Sequence, residues 1–174
     1  MTTELVAHSG QEAFRISTDA AQLCKQIVVA TAKPIKGKRF VGVEGWQAIA
    51  LAHGCVASSG DVQRVETGFR ATGKVIRMSD GQLISTAEGF VGDDETMWAL
   101  RPEYARRAMA QTRSISRACR SAFAHVVVMM QAGLETTPAE EMQGDEVQHH
   151  ESKKPAEKNM GAAVVVPESQ EDNR

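Results

Sequence analysis

The dipeptide Asp80-Gly81, set between two β-prone runs, constrains this chain more than any other short segment. Both central residues of a two-residue type I′ turn need positive φ, which Gly supplies freely and Asp tolerates. Residues 69–78 and 83–91 on either side are rich in Val, Ile, Thr and Phe, which predicts an antiparallel hairpin. A two-residue turn would put Ala71 opposite Phe90, Val75 opposite Thr86 and Lys74 opposite Ala87. With residues 62–67 in front, the hairpin extends to a three-stranded meander. Neither face of the hairpin is cleanly apolar in the sequence, so the pattern does not say which side is buried.

Helical periodicity brackets this β region. Ser17-Thr18-Asp19 is a helix-start signal, and Ala20, Leu23, Ile27 and Ala30 follow at helical spacing, so a first helix is predicted to run to about Thr31 and stop before Pro34. A basic loop, Lys33-Pro34-Ile35-Lys36-Gly37-Lys38-Arg39, leads to a short strand over residues 40–43. Trp46, Ile49, Ala50 and His53 then mark a second helix that ends near Gly54 or Ser59. A long helix is expected from about Pro102 to Met130, with Gly133 as its stop. The order predicts an α+β domain in which an antiparallel β-meander packs on a long C-terminal helix, with helices mostly on one side of the sheet.

Charge divides the chain in two. Residues 1–134 carry 16 Lys+Arg against 12 Asp+Glu, and residues 135–174 carry 4 against 10. Beyond Thr136-Thr137-Pro138 the chain has no aromatic residue and is rich in Glu, Lys, Gln, Ser and Pro, too little apolar surface to offset the entropy of ordering. The expected organisation is a domain over residues 1–135 and a disordered acidic tail over residues 136–174, with one short apolar patch at residues 162–166. A mildly basic body with an acidic tail occurs among nucleic-acid binders, where the tail competes for the basic surface. No apolar run approaches the roughly 20 residues of a membrane helix. Met1-Thr2-Thr3-Glu4 lacks the start of a secretory signal, so the chain is expected to stay where it is made.

The long helix carries the residues of most interest. At about 100° per residue, Arg106, Arg113, Arg117 and Arg120 share one narrow stripe along roughly 20 Å. Ala105, Ala108, Met109, Ile115, Cys119, Ala122, Phe123, Val126 and Met130 form the apolar face expected in the core. Glu103 is the one acid nearby within the helix. Four aligned guanidiniums repel one another unless something acidic lies across from them. A phosphate backbone suits them, because guanidinium pairs bidentately with phosphate and the neutralised charges release counterions. Acids of a neighbouring element or subunit would suit them too, as would solvent. The basic loop with Lys36, Lys38 and Arg39 is a second candidate phosphate contact, with Gly37 allowing close approach of backbone.

Other chemistries find less support. The GxxxxGK[ST] phosphate loop is missing from the sequence, which argues against ATP-driven action. Cys24, Cys55 and Cys119 are scattered and odd in number, read as small apolar fillers in a reducing compartment rather than a disulfide or zinc framework. His53, His125, His149 and His150 show no metal-ligand spacing with them. Asp93-Asp94-Glu95 could hold Mg²⁺ in a nuclease or simply face water. Trp46 is read as core, and Trp98 as core or as a stacking surface for a base. No catalytic set emerges, no cofactor is implied, and the chain is expected not to be an enzyme.

The succession RATGKVIRMSDGQLISTAEGFV, YARRAMAQTRSISRACRSAF and GLETTPAEEM, within about residues 35–142, resembles the Rad52-like single-strand annealing proteins of phages and prophages. The resemblance implies a sheet on a long helix, assembled into a homo-oligomeric ring or filament in the bacterial cytoplasm. It implies ATP-independent binding of single-stranded DNA, with the backbone held and the bases free to pair, in homologous recombination and repair. Arg106, Arg113, Arg117 and Arg120 would be the backbone contacts, and Arg70, Lys74, Lys36, Lys38 and Arg39 their supports. An exonuclease or a single-strand-binding protein would be engaged through the tail. The alternative is a non-enzymatic phage structural or regulatory protein whose arginine face binds an acidic protein partner.

Overall fold

A computed structural model describes residues 10–142. The hairpin forms as β5 (Gly68–Arg77) and β6 (Leu83–Gly92), antiparallel. Its register differs from that of a two-residue turn: Ala71 faces Gly89, Val75 faces Ser85 and Lys74 faces Thr86. Two local features cause the shift. The Arg77 N–H donates to Gln82 O and the Gly81 N–H to Arg77 O, both at 2.9 Å, so the loop spans residues 78–81 with Gly81 at φ 72°. A bulge then falls between Val75 and Ile76. Because side chains alternate, one residue of slip moves each partner to the opposite face. Asp80 still shapes the turn, accepting from the Gln82 N–H at 3.0 Å and pairing with Arg77 at 2.9 Å.

Along the other side of β5 run β3 (Cys55–Ser59) and β4 (Gln63–Val65), both antiparallel to it. β3 stands where the sequence suggested the end of a helix. That helix, α2 (Val43–Ala52), stops because Gly54 turns left-handed at φ 66°, a conformation that suits glycine at a helix C-terminus. The basic loop is also more ordered than expected. Lys36 and Gly37, at φ 50° and 77°, form a tight turn between β1 (Lys33–Ile35) and β2 (Lys38–Phe40), so the strand expected at residues 40–43 falls earlier. β7 (Leu134–Glu135) joins β2 in parallel and completes this second, three-stranded sheet.

The long helix, α4 (Glu103–Met129), lies on the inner face of the meander, behind a short helix α3 (Thr96–Ala99). The sheet presents Ala71 and Gly73 from β5 and Ala87 and Gly89 from β6 on this face, and the helix presents Ala110, Ser114 and Ala118. The fit is at backbone contact. A Cβ at Gly73 would lie 2.1 Å from the Ser114 carbonyl oxygen, and one at Gly89 would lie 2.2 Å from the Ala110 oxygen and the Ser114 nitrogen. The middle of the hairpin's buried face, between Phe69, Val75 and Val91, is thus made of small residues, which is why neither face reads as apolar.

The main core lies where α4 meets α2 and α1 (Gly10–Thr31), with Trp46, Ile49, Val28, Val75, Phe123, Val126 and Met130 enclosed. Burying one Trp over about 200 Å² contributes roughly 5 kcal/mol before entropy is counted. Cys119, Phe123, Val126 and Met130 hold the predicted core positions, whereas Ala108 is exposed. In α1 the outcome is reversed. Leu23 and Ile27 are 75% and 54% exposed, while Ser17, Ala20, Ala21, Cys24 and Val28 turn inward. The helix begins before Ser17, and Thr18 bonds back to the Phe14 carbonyl at 3.0 Å instead of capping an N-terminus.

The folded domain also continues past residue 135. Pro138, Ala139 and Glu140 are buried, the last two in a short helix α5 (Ala139–Met142). The rest of the expected tail, residues 143–174, lies outside the described residues. No helix among the described residues is long and apolar enough to cross a membrane.

Candidate nucleic-acid interface

The four arginines of α4 share a stripe but not an environment. Arg113 is 7% exposed. Its guanidinium grips Glu95 bidentately, with two 2.7 Å bonds, donates to Phe90 O at 2.7 Å, and reaches Glu140 O through Nε at 3.3 Å. Arg106 bonds Asp93 at 2.5 Å and lies over the Phe69 ring at 5.1 Å. Arg64 of β4 holds the same Asp93 with bonds of 2.8 and 2.7 Å and lies over the same ring. Of the cluster expected to face water or hold a metal ion, Asp93 and Glu95 are thus turned onto guanidiniums, while Asp94 is exposed. Arg113 is a strut inside the fold, which corrects its placement among backbone contacts: burial removes it from any phosphate outside.

The stripe follows the free edge of β6, which pairs with β5 alone among the described residues. Glu95 accepts from the Gly92 N–H at 2.8 Å, Arg113 donates to Phe90 O, and Arg117 donates to Glu88 O at 3.2 Å. One edge group on each of Glu88, Phe90 and Gly92 is thereby closed to pairing with another strand, a protection that exposed edges need.

Past Arg113 the helix leaves the acidic turn behind. Arg117 is 43% exposed at its side chain and bonds Glu141 of α5 at 2.6 Å. Arg120 is exposed and makes no hydrogen bond or ion pair among the described residues. The two arginines line an open groove of about 500 Å³ with Ser121, Ala124, Ala87, Glu88 and Glu141. Glu88 links the groove to the outer face of the sheet, where Arg70 approaches it at 3.6 Å and Lys74 stands exposed between Ser58 and Thr86. The groove, Arg70 and Lys74 thus form one neighbourhood across the β6 edge.

The residues of the β1–β2 turn lie apart. Lys38 pairs with Glu135 at 2.9 Å, and Lys36 and Lys38 rim a separate cleft of about 370 Å³ floored by Ile35, Phe40 and Met142. Arg39 donates to the Val29 carbonyl and ties the turn to α1. Sequence reasoning missed Glu140, whose buried carboxylate accepts from the Val43 N–H at 2.9 Å and from Ser116 Oγ at 3.0 Å. It thereby caps the start of α2 and fixes α5 against α4, a placement favoured by the helix dipole.

Trp46 is enclosed in the core, and Trp98 packs against Phe69, Ala71, Val91 and Ala110. All three cysteines are free and buried, and burial pushes the Cys119 thiol up to about 12. Such thiols are inert. Ser17 Oγ lies 3.2 Å from His125 Nε2. Burial, and then the neighbouring His53, hold His125 below its ordinary 6.5. Burial opposes ionisation of Glu95, but its bonds from Arg113 and the Gly92 N–H outweigh this and hold its carboxyl below 4.5.

Both depressed groups favour the deprotonated form in the folded state, so the unfolded chain binds more protons in each window. Stability is therefore complete above 6.5, the His125 share is lost as pH falls below that value, and the Glu95 share is lost below 4.5. Thermal melts from about pH 8 down to about pH 5 should show a falling midpoint that His125→Gln flattens. A midpoint independent of pH in the unsubstituted protein would contradict the assignment. No protein-family model, no characterised protein and no solved structure is matched by the chain.

Proposed function

We propose that the protein binds single-stranded DNA without ATP and anneals complementary strands as an oligomer, in the manner of Rad52-like annealing proteins, in the bacterial cytoplasm. The observation that carries the reading is Arg120, a guanidinium without a counter-ion among the described residues, beside Arg117 in an open groove. Arg70 and Lys74 add positive charge across the sheet edge, on a face rich in hydroxyls. The groove opens beside the edge of β6, between Ala87 and Glu88 on the strand and Arg117, Arg120, Ser121 and Ala124 on α4, where a strand's phosphates would meet both arginines. An antiparallel meander on a long helix is the architecture the resemblance implies. The outward Leu23 and Ile27 of α1 favour self-association, since apolar surface of that kind is costly in water.

The pair Arg117→Ala with Arg120→Ala should weaken binding of a fluorescent oligothymidylate at least tenfold by anisotropy while leaving the melting midpoint within a few degrees. Equal affinity for the pair and the parent would remove the groove from the reading. An acidic protein segment would then be the better occupant.

A further inference from the structure

Glu141 holds the place that a phosphate would take. Its Oε1 meets Arg117 Nε at 2.6 Å, on the same guanidinium that donates through NH1 to Glu88 O. Both Glu141 and Arg117 line the groove, and their side chains are 21% and 43% exposed, so water and ions reach the pair. The next residue back is anchored. Glu140 is 1% exposed and bonded to Val43, Ser116 and Arg113 through its carboxylate and carbonyl. The backbone of α5 is therefore pinned, while the Glu141 side chain is held by its bond to Arg117. The pair is partly open to solvent, so a polyanion that brings several charges at once can displace it.

We propose that Glu141 is an internal anion that occupies Arg117 in the free protein and is exchanged for a phosphodiester when a strand enters the groove. The proposal rests on the nucleic-acid reading of the groove and adds its regulation. A carboxylate on Arg117 sets a threshold: isolated small anions gain little by displacing it, while a strand that also reaches Arg120, Arg70 or Lys74 gains from every contact together. It also lowers the positive charge of the groove in the free state, since Glu141 answers Arg117 while Arg120 has no acidic partner among the described residues.

The test measures anisotropy of a fluorescent oligothymidylate against the full-length chain at one low salt concentration. The proteins are the parent, Glu141→Gln, Arg117→Ala, the two combined, and Glu66→Gln as a charge-matched control away from the groove. Glu141→Gln should bind about threefold tighter than the parent, and the gain should vanish in the Arg117→Ala background. Glu66→Gln should match the parent. Equal affinity of Glu141→Gln and the parent, or a gain that survives Arg117→Ala, would overturn the exchange while leaving the groove reading intact. Failure of all five proteins to bind would overturn the groove reading itself. Glu141→Ala, which cannot hydrogen-bond to Arg117 at all, should show the same gain, and equal affinity of Glu141→Ala and the parent would likewise overturn the exchange.

Discussion

Arg113→Ala should destabilise the protein by about 3 kcal/mol, a large share of the 5–15 kcal/mol typical of a folded domain. The substitution leaves the Glu95 carboxylate without its bidentate partner and strips donors from Phe90 O and Glu140 O in one step. Glu95 is 28% exposed, so water recovers part of the loss and the figure sits at the low end for a broken buried pair. Urea unfolding should show the drop in midpoint with little change in slope. Replacing both partners, Arg113→Met with Glu95→Leu, should recover the part due to the uncompensated carboxylate but not the part due to Phe90 O, Glu140 O and the Gly92 N–H, which stay unpaired. Arg120→Ala should stay within about 0.5 kcal/mol of the parent. If Arg113→Ala unfolds at the parent's urea concentration, the strut assignment is wrong.

Gly89→Val should cost upwards of about 3 kcal/mol, among the largest losses of any single change in the sheet. The first added carbon would stand 2.2 Å from two backbone atoms of α4, with Gly73 in equally close contact one strand away. Neither atom belongs to a flexible side chain. The helix must move off the sheet by an ångström or more, and the same helix carries Cys119, Phe123 and Val126 into the main core. Gly89→Ala should already show most of the effect, since the collision is with Cβ itself. Circular dichroism melts and soluble yield would report it. Near-parental stability of Gly89→Ala would mean that α4 does not rest on the sheet backbone as described.

Much of the architecture could be read from the chain because its elements announce themselves locally. Asp80-Gly81 marks one reversal, and the apolar period of residues 105–130 marks α4, whose bounds agree to within about a residue. What could not be read depended on partners distant in sequence. The buried face of the hairpin hides behind glycines and alanines because its depth is set by a helix backbone, not by apolar side chains. Leu23 and Ile27 have the right spacing for a core, but spacing does not say which face of α1 meets α2. The arginine stripe was legible as a stripe. Its division into two struts and two groove residues was not, because the loop at Asp93–Glu95 folds back onto only the first half of the helix. Pairing the body's only acidic cluster with its only arginine stripe would have exposed that division. Glu140 had no such signal, since it sits among acids in a segment with the composition of a tail.

Salt-resolved binding of the full-length protein to a single-stranded oligonucleotide, without ATP, tests the central claim most directly. Binding should be tight at low salt and fall steeply as salt rises, with a log–log slope smaller by roughly 1 for Arg120→Ala. No binding at low salt, or binding that salt does not weaken, would contradict it.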